Sequence, residues 1–292
     1  MLAPIEGARC NGVTKSGKRC SITAQSTMRD AAGRLVGRPL SLGSPCCLFH
    51  AEFFQVVPAE LRDEVVTYAY IDLETDSLDY LSGNIVEIGA LVSGSRAAFS
   101  TVINPGNRGS QDPDAVHGIS PGEISQGPSF HQAFQRLDQF LRYASMSVPA
   151  SDIDSEDDSS PVPAKTMMPD LEIALVGHNA FRFDFPFLLA ECLRCGMGAS
   201  AMSHWLFVDT MDLLRATDCA GECKKLQCAF HACTGPSSLR PHRALDDCLA
   251  LEAVVEHVSA RLGVSPLMLL RHFARRLDGA ATVAQLSGLI AD

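Results

Sequence analysis

Three short apolar segments separated by turn residues restrict the fold of this chain most. They read VTYAYIDLE, NIVEIGALV and AAFSTVINP, and runs of this length and composition predict strands in an antiparallel meander. Helical spacing follows in SFHQAFQRLDQFLRYA behind a serine cap, and strand and helix patterns then alternate as far as ALDDCLALEAVVEHVSARL. This order predicts a mixed sheet with helices on its faces, an α/β architecture.

The composition is that of a globular protein. Of 292 residues, 46% are hydrophobic and 20% are charged, and this length suits one large domain with a small accessory domain. The N-terminus has no basic start followed by an apolar run, and the sequence contains no stretch of about 18 apolar residues. We therefore expect an intracellular protein of the nucleus or cytoplasm, neither secreted nor associated with a membrane.

Much of the acidity lies in one segment, SDIDSEDDSSPVPAK at 151–165. Its like charges repel one another, and no apolar periodicity survives there. We interpret it as a flexible insert, about residues 146–169, within a domain that spans residues 64–262. The formal net charge of −10 does not exclude a nucleic-acid partner, because the distribution of charge matters more than its sum.

Two carboxylates stand where the first predicted strand ends, in YAYIDLETDSLDY. Side chains two apart on a strand point to the same face, so Asp72 and Glu74 project side by side with Leu73 turned away. A cation between them stabilises such a pair, and Mg²⁺ and Mn²⁺ prefer oxygen ligands. For the isolated pair, a strand that ends in a polar turn is the simpler explanation.

Further acidic residues begin two predicted helices. Asp184 in VGHNAFRFDFPFLL fits a helix N-cap. Asp246 and Asp247 in RPHRALDDCLALE fit a first helical turn, where the helix dipole favours negative charge. Taken singly, each is explained by helix formation. Taken with the strand pair, four carboxylates can converge at one edge of a mixed sheet and bind two metal ions for phosphoryl displacement.

Three stretches together resemble the motifs of the DEDDh family of 3′-to-5′ exonucleases. They are IDLET, HNAFRFDFPFL and HRALDD, which contain Asp72, Glu74, Asp184, His242 and Asp247. Their order, the gap of roughly 110 residues before the second motif and the H-x-x-x-x-D spacing of the third fit that family. The resemblance implies a ribonuclease H-like fold and a nuclease activity.

A fourth stretch, DAVHGIS at 114–120, is similar to a loop of proofreading exonucleases, and the whole resemblance covers about residues 68–262. In the second motif His178 and Asp184 are six residues apart, which resembles the three-prime repair exonuclease branch. That likeness implies hydrolysis at a DNA 3′ end with release of nucleoside 5′-monophosphates. Two alternatives stay open, namely trimming of RNA or oligoribonucleotide 3′ ends and an inactive nucleic-acid-binding adaptor.

The resemblance also implies roles for individual residues. Asp72 would bridge two Mg²⁺ or Mn²⁺ ions, with the remaining ligands supplied by Glu74, Asp184 and Asp247. His242 would be the general base, because imidazole exchanges a proton near neutral pH. The alternative for His242 is a polar loop histidine that caps the helix. The motif spacing selects Asp247 over its neighbour Asp246.

The expected partner is a nucleic acid with a 3′ end, preferably single-stranded. Residues expected to contact it are Leu73, Thr75, His117 and Ile119, because single-stranded binders often use flat or apolar surfaces. Leu73 fits a core position equally well. His178 and Asn179 are expected to stabilise the turn between strand and helix, and Asp209 is expected to be structural.

The first 55 residues are basic and rich in cysteine. Their pattern RCNGVTKSGKRC…CCLFH resembles small zinc-binding modules, which implies a structural Zn²⁺ with the ligands Cys10, Cys20, Cys47 and His50. Cys46 is an alternative to Cys47, and unrelated reduced cysteines are the alternative to a zinc site. A basic face on such a module would attract phosphates.

The eleven cysteines, in a chain expected to be intracellular, predict free thiols and metal ligands before disulfides. The cluster of Cys219, Cys223, Cys228, His231 and Cys233 is interpreted as thiols packed on helix faces. Residues 263–292 are expected to form a helical tail with one basic amphipathic helix and a short apolar one.

Overall fold

A computed structural model provides the structure of this chain. It describes residues 54–56, 65–93, 97–108, 117–146, 172–217, 223–235, 239 and 242–277. The predicted zinc ligands, Cys10, Cys20, Cys47 and His50, lie outside these residues, as does nearly all of the predicted acidic insert. The zinc module and the insert therefore stay predictions.

The described residues form one mixed sheet. Its strands are β1 Phe54–Val56, β2 Val65–Thr75, β3 Ile85–Val92, β4 Ala98–Val102, β5 Glu172–Gly177, β6 Trp205–Asp209 and β7 Arg275–Leu277. They lie in the order β1-β7-β6-β5-β2-β3-β4. β2, β3 and β4 pair as an antiparallel meander, whereas β5 runs parallel to β2 and β6 parallel to β5. The predicted meander and mixed α/β sheet are confirmed.

Helices cover both faces of this sheet. They are α1 Pro121–Gln126, α2 Phe130–Met146, α3 Asp184–Arg194, α4 Thr210–Thr217, α5 Leu226–Thr234, α6 Ala244–Leu262 and α7 Pro266–Phe273. Successive residues of β2 enter different cores, because side chains alternate along a strand. Ile71 and Leu73 pack in the core that contains residues of α2 and α3. Tyr68 and Tyr70 pack in the core that contains residues of α6 and α7. Asp72 and Glu74 continue the second series, so the pleat directs them toward the α6 side.

The N-terminus of α6 is fixed to β3 by one buried carboxylate. Glu87 accepts two hydrogen bonds from the Arg243 guanidinium, at 2.9 and 3.2 Å, and a third from the Ala244 backbone N–H at 3.1 Å. Next to it, a Cβ on Gly89 would lie 2.5 Å from the carbonyl carbon of Ala244. The strand and the helix therefore approach each other as closely as their backbones allow.

The C-terminal residues differ from the predicted helical tail. α7 ends at Phe273, and Arg275–Leu277 form β7, which pairs with β1 and β6. Two contacts of Arg275 favour the strand, since its guanidinium lies 4.3 Å above the Phe181 ring and also forms an ion pair with Asp212. Apolar side chains of α7 pack in the same core as α6, which places this part of the tail on the domain.

No single helix in the described ranges is long and apolar enough to cross a bilayer. By length and composition α6 and α7 pass that test only as a pair, and they are bent by 101° at the break between them.

Candidate active site

A cavity of about 410 Å³ opens where β2 ends. Its walls come from the end of β2, the loops that precede α3 and α6, and residues of those two helices. The lining residues are Asp72, Leu73, Glu74, Thr75, Asp76, Ser77, Leu78, His117, His178, Asn179, Phe183, Asp184, His242 and Asp247. All five residues expected from the sequence to be catalytic therefore line one cavity.

Three carboxylates in this cavity are close enough to share a cation. Oxygen atoms of Asp72, Glu74 and Asp247 all lie within 4.8 Å of one another. Asp184 adjoins them, because its Oδ1 accepts the backbone N–H of Leu73 at 3.1 Å. The donor set consists of carboxylate oxygens, which suits hard divalent cations such as Mg²⁺ or Mn²⁺. The residues present therefore fit the metal ions implied by the motifs.

Asp184 reaches this position because β5 is parallel to β2 and lies beside it, so that their carboxyl ends meet at one sheet edge. Phe183 occupies the N-cap of α3 and makes no side-chain capping bond. Asp184 is the first helical residue, so it is not the N-cap that its position before an apolar helix suggests. Its side chain is 3% exposed and bonds to β2 instead.

The turn between β5 and α3 is held by Asp209 at the end of β6. Its carboxylate accepts the backbone N–H groups of Asn179 at 2.8 Å, Phe181 at 3.1 Å and Met211 at 2.9 Å. Asn179 has φ 60°, a left-handed conformation that asparagine tolerates better than most residues. Asp209 thus has the structural role expected from the sequence, and it orients the loop that delivers Asp184.

His178 connects this turn to α4 and to the residues that precede α5. Its Nδ1 lies 2.8 Å from Thr210 Oγ1, and its Nε2 lies 2.8 Å from the Lys224 carbonyl oxygen. Both ring nitrogens therefore have protein partners, as a turn-stabilising histidine requires, although the residue also lines the cavity.

His242 also lines the cavity, one residue before Arg243, the N-cap of α6. It is exposed and has φ 66°. Its backbone N–H donates to Asp247 Oδ2 at 3.0 Å, so the histidine and the aspartate of the third motif are joined directly. Gln227 Nε2 donates to the other oxygen of Asp247 at 2.7 Å. Asp246 is not among the described residues that line the cavity.

Burial and mutual repulsion raise the pKa of every carboxyl group in the cluster. Desolvation, followed by the charges of Asp184, Asp247, Glu74 and Glu87, holds the pKa of Asp72 well above its usual range. Desolvation and the charge of Asp247 raise the pKa of Glu74 to about 8. Desolvation raises the pKa of Asp184 to about 7. Like charges this close are unfavourable by themselves, and bound cations would relieve the repulsion.

This arrangement predicts how the stability of metal-free protein depends on pH. Unfolded Asp and Glu have pKa values of about 4, so above that pH the folded state binds more protons than the unfolded state does. Stability must then fall as pH rises toward 8, which is about the pKa of Glu74 in the folded protein. In EDTA we expect Tm to drop by at least about 5 °C between pH 5 and pH 8, measured by scanning fluorimetry.

The control for this prediction is Asp72→Asn, which removes the central charge and should reduce the drop. Mg²⁺ should raise Tm more at pH 8 than at pH 5, because cations bind the ionised carboxylates. A metal-free Tm that stays constant or rises over this interval would contradict the electrostatic account.

Of the four residues expected to contact substrate, three border the cavity and one is not among its described lining residues. Thr75 and His117 line the cavity. Leu73 also borders it, but its side chain is only 4% exposed and packs in the core. Ile119 is buried, and its backbone N–H donates to His117 Nδ1. Ile119 is not among the described lining residues, so we do not assign it a direct contact.

Several residues of the site lie outside the three motifs. Glu87 and Gln227 hold the third motif from outside it, whereas Asp76, Ser77 and Leu78 border the cavity. Glu87 is in principle detectable, because it is a charge within the otherwise apolar segment NIVEIGALV. Gln227 stands in a cysteine-containing stretch with no catalytic pattern, so only the structure identifies it.

The cysteines near the cavity correct the expectation of free thiols. Cys223 and Cys228 form a disulfide with a Cα–Cα distance of 5.8 Å. Cys228 lies on α5 but Cys223 precedes it, so the two do not share a helix face. The described Cys192, Cys195, Cys233 and Cys248 are free thiols, as predicted for most cysteines of the chain.

Comparison with known proteins agrees with this geometry. Residues 70–155 match the family model described as Exonuclease, RNase_T. Exonuclease DPD1, chloroplastic/mitochondrial, of Arabidopsis thaliana is 29% identical over 226 residues. The alignment covers 74% of this chain and 64% of the Arabidopsis protein, so the chain spans just under two thirds of that relative.

Solved structures show the same fold. The zinc-bound complex of Escherichia coli ExoI with single-stranded DNA superposes with a TM-score of 0.51 at 18% identity, over 68% of this chain and 41% of that one. Exonuclease I without ligand gives a TM-score of 0.50 at 17% identity, over 67% and 42%. The chain therefore has the ribonuclease H-like exonuclease fold, and the part of it from β2 to α2 matches the exonuclease family.

Proposed function

We propose that this protein is a metal-dependent exonuclease that hydrolyses the terminal phosphodiester at the 3′ end of a nucleic acid and releases nucleoside 5′-monophosphates. The observation that carries the proposal is the convergence of four carboxylates and one histidine in a single cavity. The four carboxylates come from three elements far apart in sequence. The exonuclease-family match, residues 70–155, includes two of these carboxylates, Asp72 and Glu74.

The position of each residue in the cavity suggests its role in the proposed reaction. Asp72, Glu74, Asp184 and Asp247 would hold the Mg²⁺ or Mn²⁺ ions, two in number as the motifs imply. Bound there, the ions supply charge that stabilises the attacking and leaving oxygens of phosphoryl displacement. His242 lies exposed at the wall and joined to Asp247, where it can accept the proton of an attacking water. Thr75 and His117 border the space that a terminal nucleotide would occupy.

We favour a single-stranded DNA 3′ end as the substrate. The longer second motif supports DNA, and several similar solved structures are complexes of Escherichia coli ExoI with single-stranded DNA. RNA trimming is the competing activity. An inactive adaptor is disfavoured, since an adaptor has no need for clustered carboxylates whose desolvation and mutual repulsion raise their pKa values. The structural zinc site and the nuclear or cytoplasmic location stay predictions.

The test uses matched DNA and RNA oligonucleotides with a fluorophore at the 5′ end. With Mg²⁺ we expect a ladder that shortens one nucleotide at a time from the 3′ end, faster on DNA, with nucleoside 5′-monophosphates identified by chromatography. A blocked 3′ end and EDTA are the controls, and both should stop the reaction. Release of the labelled 5′ nucleotide first would contradict the polarity, and intact DNA and RNA under both Mg²⁺ and Mn²⁺ would exclude the enzyme.

A further inference from the structure

A short segment beside the cavity makes two contacts with residues that line it. We call residues 223–228 the α5 entry segment, because it precedes α5 and includes its first turn. The disulfide between Cys223 and Cys228 closes it into a loop. From within that loop the Lys224 carbonyl oxygen contacts His178 Nε2, and Gln227 Nε2 donates to Asp247 Oδ1.

The contact of Gln227 gives the Asp247 carboxylate a second hydrogen-bond donor. One carboxylate oxygen accepts the His242 backbone N–H at 3.0 Å and the other accepts the Gln227 amide at 2.7 Å. Two donors from different directions determine the rotation of the carboxylate plane. The Gln227 amide is neutral, so it orients Asp247 and leaves its negative charge available to a cation, as a lysine or arginine would not.

We propose that Gln227 is a positioning residue for Asp247 and that the Cys223–Cys228 disulfide keeps Gln227 in place. This inference rests on the proposed metal-dependent function. Residues that orient a metal ligand by hydrogen bonding typically contribute 10- to 100-fold in metal affinity. Gln227 would do so from an element that carries none of the motif residues.

Gln227→Met tests whether Gln227 positions Asp247. Methionine preserves the length and apolar volume of the side chain but removes the amide that donates to Asp247. Mn²⁺ binding to the full chain is measured by electron paramagnetic resonance, so the readout does not depend on activity. We expect binding about tenfold weaker with Tm unchanged. Gln135→Met, on the exposed side of α2, is the matched control and should bind as the wild type does.

A double-mutant cycle separates positioning from a general structural effect. If Gln227 acts through Asp247, Gln227→Met should weaken Mn²⁺ binding in the wild type but not further in Asp247→Asn. An equal loss in both backgrounds, or wild-type affinity in Gln227→Met, would overturn the positioning role while leaving the nuclease intact. Absence of Mn²⁺ binding by the wild type would remove the proposed function together with this inference.

Reduction of the Cys223–Cys228 disulfide tests whether this bond keeps Gln227 in place. Cys223 is exposed, so a dithiol such as dithiothreitol can reach the bond. The dithiol transfers two electrons and two protons to the disulfide, which yields the Cys223 and Cys228 thiols and the oxidised, cyclic reductant. After anaerobic removal of the reductant, Mn²⁺ affinity should fall toward that of Gln227→Met.

Two controls accompany the reduction. The double variant Cys223→Ser, Cys228→Ser should bind Mn²⁺ as weakly as the reduced wild type and should not respond to dithiol. Gln227→Met should not respond either, since its donor is already lost. Unchanged Mn²⁺ affinity after reduction, or alkylation of both thiols in protein purified without reductant, would overturn the role of the disulfide.

Discussion

Asp72→Asn is expected to reduce the rate of nucleic-acid hydrolysis by at least about a thousandfold, a loss of roughly 4 kcal/mol in transition-state stabilisation. The carboxylate oxygens of Asp72, Glu74 and Asp247 lie within 4.8 Å of one another. Desolvation, followed by the charges of its acidic neighbours, raises the pKa of Asp72 well above its usual range. Asparagine has the same shape but no charge, so it would remove one of the carboxylates that would hold the cations. Single-turnover rates on a 5′-labelled oligonucleotide, with Mn²⁺ affinity measured in parallel, check this expectation.

The matched control is Asp246→Asn. Asp246 carries the same chemical group one residue before Asp247, and it is not among the described lining residues of the cavity. We expect its rate to stay within about threefold of the wild type, because removal of a charge outside the cavity has a small effect. Full activity in Asp72→Asn, or a loss in Asp246→Asn as large as in Asp72→Asn, would exclude the proposed ligand set.

Gly89→Ala is expected to damage both stability and activity, although Gly89 does not line the cavity. The added Cβ would lie 2.5 Å from the Ala244 carbonyl carbon and 2.6 Å from the Leu245 nitrogen, so α6 must move away from β3. Overpacking of this kind costs about 1 to 3 kcal/mol, and each kcal/mol lowers Tm by about 2 to 4 °C in a domain of this size.

The rate should fall by more than the loss of stability alone explains, because α6 carries Asp247 and His242 lies just before its N-cap, Arg243. A displacement of about 1 Å at a reacting centre can reduce the rate about a hundredfold. Thermal unfolding and single-turnover rates measure the two effects separately. Gly122→Ala in α1 is the control, since its Cβ would have no neighbour closer than 3.9 Å. Wild-type behaviour of Gly89→Ala would show that α6 is not held against β3.

The side chains that converge in the cavity were largely predictable, because the patterns that mark them are local in the sequence. Asp72 and Glu74 share a face through the period of a strand, and His242 and Asp247 occur at a fixed spacing before and within one helix. The antiparallel meander was predictable for the same reason, since its strands follow one another with short turns. These properties need no knowledge of distant contacts.

The residues that hold the site in place, by contrast, are in contact with residues far away in the sequence. Glu87 and Arg243 are 156 residues apart, and nothing local in either segment indicates that they pair. The same holds for β7, which is a strand because β1 and β6 lie on either side of it, although its sequence continues a helical pattern. Tertiary context overrides local propensity when an extended segment gains hydrogen bonds that a helix would forgo.

The residue types and their spacing indicate which side chains carry the proposed chemistry and in what order their elements follow. How these side chains are held depends on packing, through the Glu87 carboxylate and the Gln227 amide, and on the proposed role of the Cys223–Cys228 bond. The reason is that residue type and period are properties of neighbouring residues, whereas an orienting contact exists only after chain packing brings its two partners together.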